Sequence, residues 1–225
     1  MKRILILVEG LTEEKFVKSI LSPHLEDFGI TPIPTIITTK VVKTGKNFKG
    51  GFRTYNKIQK ELKILLNDRE AMAVTTMIDY YALPNDFPWE RRPDKSVSCY
   101  TKIKLAEENF KSNIDNRKFI PYLQLHEFES ILFSSPDAIA RPFEGEGKHK
   151  QILKELENTV RNFRGPEEIN DDPNTCPSKR IVNIVGEYRK PLHGPTIARN
   201  IGLNIIRSKC PHFNDWVKKL ESLST

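Results

Sequence analysis

The hydrophobic positions of the first 130 residues alternate between short apolar runs and helical stripes. Residues 4–8 form a continuous branched apolar run that stops at Glu9, which is typical of a strand buried on both faces of a parallel sheet. Runs rich in Ile, Val and Thr at residues 33–42 and 71–78 predict a second and a third strand, and residues 119–125 predict a fourth.

Amphipathic segments separate these strands. Thr12 is a favourable N-cap for a first helix with acids in its first turn, and Pro23 is expected to end or kink that helix. Apolar residues at helical spacing predict two further helices, over residues 55–67 and 100–110. The alternation of strands and helices predicts an α/β, Rossmann-like fold with a parallel central sheet flanked by helices on both faces.

The last third of the chain has a helical pattern, apart from a polar, proline-containing stretch at residues 165–179. We therefore expect residues 1–133 to form the α/β core and residues 134–225 to form a mainly helical extension packed on it. Because the sequence has neither an internal repeat nor an evident linker, the two parts are expected to make one structural unit.

Acidic residues follow three of the four predicted strands. Glu9 comes after the first strand, Asp79 after the third, and Glu127 with Glu129 after the fourth. Since parallel strands end at the same edge of a sheet, where ligands of such folds bind, these carboxylates are expected to lie close together. Their repulsion would be costly without divalent cations, so the pattern predicts a site for one or two Mg²⁺ or Mn²⁺ ions. Glu13, four residues after Glu9, is expected to reach the same site and could serve a second ion.

Three of these acids also have a structural interpretation. Glu13 and Glu129 could be acids of a first helical turn, where the helix dipole favours them whatever their function. Asp79 could cap a turn before residues 80–81. Their joint placement at strand ends is what favours a metal site.

The net charge of +7 becomes informative when it is divided along the chain. Residues 40–63 hold eight Lys and Arg against one Glu, and residues 177–219 hold nine against two acids, so each segment carries +7 and the remainder −7. Two basic segments around an acidic middle indicate a polyanionic partner, DNA or RNA. In the first segment, aromatic residues alternate with the cations, which is typical of a nucleic-acid surface. The candidate backbone-binding residues are Lys43, Lys46, Lys49, Arg53 and Lys57.

The second basic segment supplies candidates for a catalytic cation. Metal-assisted hydrolysis of a phosphodiester develops negative charge that a lysine or arginine can offset. Lys179, Arg180 and Lys190 are the candidates and, together with Glu9 and Asp79, make the predicted catalytic set. In both segments the cations could instead be solvated surface charges, and the aromatic residues of the first could belong to a helix core.

The composition excludes several classes of protein. A mean hydropathy of −0.48 and the absence of any apolar run near 18 residues exclude a membrane-spanning helix. Three widely spaced cysteines without a C-x-x-C pair indicate neither a disulfide framework nor a zinc site. A reducing cytoplasm is the expected location.

Five segments of the sequence resemble known families. VEGLTEE at residues 8–14, followed by Phe16 and Val17, resembles the opening of Toprim domains, the metal-dependent catalytic fold of topoisomerases, primases and OLD-type (overcoming lysogenization defect) nucleases. Four further segments resemble a prokaryotic Toprim-like family of unknown function. They are DYYALP at 79–84 with Phe87 and Pro88, HEFE at 126–129 with Leu132 and Phe133, PSKR at 177–180, and Gly202 and Leu203 with CPHF at 210–213.

This resemblance implies a Toprim-like fold in which Glu9 is a metal ligand or general base and Glu13 serves a second metal ion. Asp79 matches the first aspartate of the D-x-D pattern after the third strand, whereas Tyr81 stands where the second aspartate belongs. We hypothesise that Glu127 and Glu129, spaced as E-x-E, replace the missing carboxylate.

Two functions are therefore expected. The first is a Mg²⁺-dependent nuclease that acts as the effector of an anti-phage defence system. Relatives of the resembled family are often encoded beside an AAA-type ATPase, and such a partner would explain how the activity is restrained. The second is a non-catalytic or partner-activated module that binds nucleic acid through a degenerate Toprim site. Primase-like nucleotidyl transfer is a weaker third possibility, because nothing in the sequence resembles a primase zinc domain.

Overall fold

A computed structural model describes residues 2–37, 54–90, 93–94, 96–143, 148–169, 172 and 174–224. Within these ranges, the centre of the molecule is a sheet of five strands whose pairings are all parallel. The strands are β1 (Lys2–Val8), β2 (Ile30–Ile36), β3 (Ala71–Asp79), β4 (Phe119–Ile120) and β5 (Leu123–Gln124). Their order is β2-β1-β3-β4, and β5 also pairs with β3.

Helices surround the sheet. In the described ranges they are α1 (Leu11–Phe16), α2 (Ser22–Glu26), α3 (Tyr55–Leu66), α4 (Cys99–Ile114), α5 (Pro136–Ala140), α6 (His149–Arg161), α7 (Pro177–Val185), α8 (Lys190–Ile201), α9 (Leu203–Lys209) and α10 (Pro211–Glu221). Short 3₁₀ segments include Tyr80–Ala82, Phe128–Ser134 and Pro166–Glu168. No helix in the described part of the chain has both the length and the apolar character needed to cross a membrane.

The hydrophobic core has two parts, one on each face of the sheet. On one face, α1, α2 and the C-terminal helices pack around residues such as Phe16 and Trp216. On the other face, α3 and α4 pack around residues such as Leu62 and Phe110. This arrangement confirms the predicted α/β fold with a parallel sheet flanked by helices.

The second strand lies earlier in the chain than the pattern predicted. It covers Ile30–Ile36 and contains Pro32 and Pro34, which have no N–H to donate. The strand order places β2 at an edge of the sheet, where a strand has one unpaired side and tolerates proline. The rest of the predicted segment, from residue 38 to residue 42, lies outside the described residues.

The fourth predicted strand is divided into β4 and β5 by Pro121 and Tyr122. Across this interruption, Thr76 Oγ1 donates to Tyr122 O at 2.7 Å and accepts from Tyr122 N at 3.1 Å. The side chain of Thr76 thus replaces the missing ladder bonds and keeps β5 beside the end of β3.

The first helical segment does not stop at Pro23. It runs from α1 through a π-helical turn, Val17–Leu21, into α2, which has Pro23 in its first turn. Proline has no N–H to bond back to the preceding turn, and the wider π-helical turn lies directly before it.

Candidate acidic site at the carboxyl edge of the sheet

The first part of the site is formed where β1 and β3 end. Glu9 follows β1 and Asp79 is the last residue of β3, and the Asp79 N–H donates to Glu9 Oε2 at 3.3 Å. The chain then turns at Gly10 into α1, and the Gly10 N–H donates to Glu13 Oε2 at 2.9 Å. The parallel pairing of adjacent strands and the immediate start of α1 thus bring these three carboxylates together, as the sequence predicted.

The segment after β5 supplies two further carboxylates. His126 has a positive φ of 61°, and the 3₁₀ segment that follows it begins at Phe128. The Phe128 N–H donates to Asp79 Oδ1 at 2.9 Å, and the Tyr81 N–H donates to His126 O at 2.9 Å. These two bonds join the segments after β3 and β5, so that Glu127 and Glu129 lie beside Asp79.

A lysine from the C-terminal region lies among these acids. Lys190 is the first residue of α8, and its Nζ is 2.7 Å from Glu129 Oε2, 3.2 Å from Glu127 Oε2 and 4.0 Å from Asp79 Oδ2. We call Glu9, Glu13, Asp79, Glu127, Glu129 and Lys190 the carboxylate–lysine cluster.

Neutral donors hold the last two acids of the cluster. Ser178, in the first turn of α7, donates its backbone N–H to Glu127 Oε1 and its hydroxyl to Glu127 Oε2 at 3.0 Å. Tyr188 donates its hydroxyl to Glu129 Oε1 at 2.9 Å. Neither donor role was predicted from the sequence, because only the packing of the C-terminal helices shows what Ser178 and Tyr188 contact.

The cluster is largely removed from water. Asp79, Glu13, Glu127 and Glu129 are buried and Glu9 is half-buried. Burial, followed by the charge of Glu13, raises the pKa of Glu9 to about 7. Burial also raises the pKa of Asp79 well above its ordinary range, with the charge of Glu9 as the next cause.

The pKa values of the other groups follow from the same causes. Burial raises the pKa of Glu13, and it raises the pKa of Glu129 against the opposing charge of Lys190. Although burial alone would lower it, the pKa of Lys190 is raised by the charges of Glu129, Asp79 and Glu127. Lys190 is therefore a permanent cation in a site with more acids than it can neutralise.

The cluster has the donor chemistry of a divalent metal site. Carboxylate oxygens are the ligands that Mg²⁺ and Mn²⁺ prefer, and Glu9, Glu13 and Asp79 each accept a hydrogen bond from a backbone N–H. As the described residues stand, no three His, Cys, Asp or Glu side chains are spaced to share one ion. The donors fit such an ion, but side chains of the cluster would have to move to bind it.

Other predicted cations lie elsewhere. Arg180 donates its Nε–H to Thr175 O at 2.6 Å and stacks over the Phe163 ring at 5.4 Å, so it braces the segment before α7. Lys179 is exposed on α7, and Lys57 is half-buried on α3. The remaining candidates for backbone binding, Lys43, Lys46, Lys49 and Arg53, lie outside the described residues.

Comparison with known proteins gives one family and one solved structure. A family model described as a domain of unknown function (DUF4276) matches residues 8–221. The chain is similar to the C-terminal region of the OLD protein of Xanthomonas campestris pv. campestris, with 18% identity, a TM-score of 0.39 and 97% of each chain covered. A search of curated proteins gives no match.

Proposed function

This chain belongs to the DUF4276 family, and we propose that it is a Toprim-type nuclease that hydrolyses phosphodiester bonds with Mg²⁺ or Mn²⁺ at the carboxylate–lysine cluster. The observation that supports this most directly is the convergence of five acids and one lysine at the carboxyl edge of a parallel sheet. Ligands of open α/β sheets bind at this edge. The net charge of +7 suits a polyanionic substrate.

In this proposal each acid has a role that its contacts suggest. Glu9, Glu13 and Asp79 would hold one or two divalent ions, which when bound activate water and stabilise the leaving oxygen. Glu9 is either one of these ligands or the base that accepts a proton from an attacking water. Glu127 and Glu129, which Ser178 and Tyr188 hold beside Asp79, would supply further oxygens to these ions.

Among the cations that the structure describes, Lys190 is the one that lies against the acids. Its Nζ lies within 4.0 Å of three carboxylates, so a phosphate bound there would be within reach of its charge. It would offset the negative charge that develops during hydrolysis. Lys179 and Arg180 lie outside the cluster, and in this proposal they contact other parts of the substrate.

The binding surface and the partners of the proposed nuclease rest on the sequence. Lys43, Lys46, Lys49, Arg53 and Lys57 would contact the backbone of DNA or RNA. A role as the effector of an anti-phage defence system, with an AAA-type ATPase partner, follows from the family resemblance and belongs to the same proposal.

Substitution of Glu9 tests the proposed activity. Wild-type protein should cleave plasmid DNA or tRNA in Mg²⁺, and E9Q should lose at least about 100-fold in rate, because it removes a metal ligand or the base. E14Q is the matched control, since Glu14 lies nearby on α1 but outside the cluster, where it pairs with Lys18 at 2.6 Å. Equal cleavage by E9Q and wild type would contradict the assignment of the site.

A non-catalytic binding module is the alternative. Lys190 already neutralises part of the cluster without a metal, and Tyr81 stands where a second D-x-D aspartate belongs. If wild type and E9Q bind nucleic acid equally and neither cleaves it, even with an ATPase partner present, this alternative replaces the nuclease.

A further inference from the structure

Lys190 occupies space that a metal ion would need. Its ammonium group lies 2.7 Å from Glu129 and 3.2 Å from Glu127, and Asp79 is 4.0 Å away. An Mg²⁺ ion requires oxygens at about 2.1 Å in near-octahedral geometry. The ammonium therefore occupies the position in front of these oxygens that an ion bound to them would have to take.

The charge of Lys190 opposes a metal as strongly as its volume does. A cation bound to Asp79 would lie a few ångströms from the Lys190 ammonium, and like charges at that distance in a protein interior repel strongly. The ammonium has to move.

The surroundings of Lys190 permit such a movement. Its side chain is 38% exposed, whereas the side chains of Glu127 and Glu129 are 5% and 0% exposed. When Lys190 moves outward, Glu127 keeps its bonds to Ser178 and Glu129 keeps its bond to Tyr188. The two acids therefore stay in position with or without the lysine.

We propose that Lys190 is a built-in counter-ion that occupies the acidic site in the metal-free protein and must leave the carboxylates before a divalent ion can bind. This regulation rests on the proposed metal-dependent function and adds a step to it. Binding of the metal then requires the outward movement of Lys190. When the metal is present, the ammonium group would lie at the mouth of the site.

Metal affinity measures the competition directly. Mn²⁺ binding, followed by electron paramagnetic resonance and by calorimetry on the full chain, should be at least tenfold tighter in K190M than in wild type. The matched control is K18M, which removes an equal charge from the neighbouring helical segment, where Lys18 is exposed and pairs with Glu14. It should bind Mn²⁺ with wild-type affinity. Equal or weaker binding by K190M, or the absence of binding in both proteins, overturns the proposal.

A second measurement uses only the wild-type protein, in case K190M does not fold. Lysine acetylation by a water-soluble reagent, read by mass spectrometry, should be slow at Lys190 without metal and at least threefold faster in saturating Mg²⁺. Lys18 should react at the same rate in both conditions. Unchanged reactivity of Lys190 overturns the proposal.

The outcomes separate this inference from the nuclease itself. If the wild-type protein cleaves nucleic acid but K190M binds Mn²⁺ no more tightly than wild type, the proposed competition is wrong and the proposed nuclease function stands. Tighter Mn²⁺ binding by K190M, together with no cleavage by the wild-type protein in Mg²⁺, supports the competition and removes the nuclease.

Discussion

At the scale of single residues, the acids of the cluster differ in what holds them. Glu127 and Glu129 have neutral hydrogen-bond donors and a nearby ammonium, and both stay buried at 4% and 0% exposure. Glu9 accepts one bond of 3.3 Å from a backbone N–H and lies next to Glu13 and Asp79. The charge of Glu9 is therefore less compensated than those of Glu127 and Glu129.

This difference predicts how stability depends on pH. The pKa of Glu9 is about 7 in the folded protein against an ordinary value of 4.5, so the folded state holds an extra proton between these values. Stability of the metal-free protein should fall as pH rises from about 5 to about 8, and Glu9 should contribute on the order of 2 kcal/mol of that fall.

Urea denaturation in EDTA across this pH range checks the prediction. E9Q should show a shallower decline than wild type, while E14Q should keep the wild-type decline. The decline in E9Q should not vanish, since burial also raises the pKa values of Asp79 and Glu129. If the free energy of unfolding of E9Q falls with pH as steeply as that of wild type, Glu9 ionises as freely in the folded protein as in the unfolded chain.

At the scale of elements, the contact between α1 and α8 positions Lys190. A Cβ built on Gly194 of α8 would lie 3.1 Å from the Tyr188 hydroxyl, 3.2 Å from Thr12 Cγ2 and 3.3 Å from Phe128 Cε1. Lys15 of α1 also donates its Nζ to Pro191 O at 2.8 Å. Glycine thus lets α8 approach α1 and the 3₁₀ segment closely, which brings the first residue of α8 to the acids.

Replacing this glycine tests the importance of the close approach. Alanine favours a helix over glycine by about 1 kcal/mol, but overpacking against three neighbours costs about 1–3 kcal/mol. G194A should therefore destabilise the protein by about 1 kcal/mol in urea denaturation and disturb Tyr188, which holds Glu129. N200A, at an exposed position of the same helix, reports the effect of helix propensity alone. A gain in stability in G194A would mean that α8 can shift without penalty.

At the scale of the whole molecule, the two basic segments predict that nucleic-acid binding depends on salt. Each lysine or arginine that contacts a phosphate of duplex DNA should contribute about 0.9 to the slope of log K against log salt. The triple variant K46A/K49A/R53A should therefore reduce the magnitude of the slope by up to about 2.7 in fluorescence anisotropy titrations.

The control for this experiment removes three charges outside both basic segments. K150A/K154A/R161A changes only α6, so it leaves the proposed contacts intact and should keep the wild-type slope. An unchanged slope in K46A/K49A/R53A would show that the first basic segment does not contact the backbone.

Much of the fold follows from local patterns. The apolar run before Glu9 and the Ile, Val and Thr run before Asp79 form adjacent buried strands, because alternation with amphipathic helices leaves few arrangements other than a parallel sheet. The position of β2 and the division of the fourth strand could not be predicted from such local patterns. Proline at the edge of a sheet and the replacement of ladder bonds by Thr76 depend on neighbours that are distant in sequence.

For the site, the sequence by itself determined which acids meet. Glu9, Asp79, Glu127 and Glu129 follow strands that end at one edge, so their proximity is a consequence of strand order and direction. Only the tertiary structure decided which cation joins them, because Lys190 is 63 residues from Glu127 in the chain and reaches it through the packing of α8 on α1. Sequence patterns report the periodicity of one element, whereas the contact between two elements depends on the shapes of both surfaces. That contact places a lysine where the sequence alone predicted a metal.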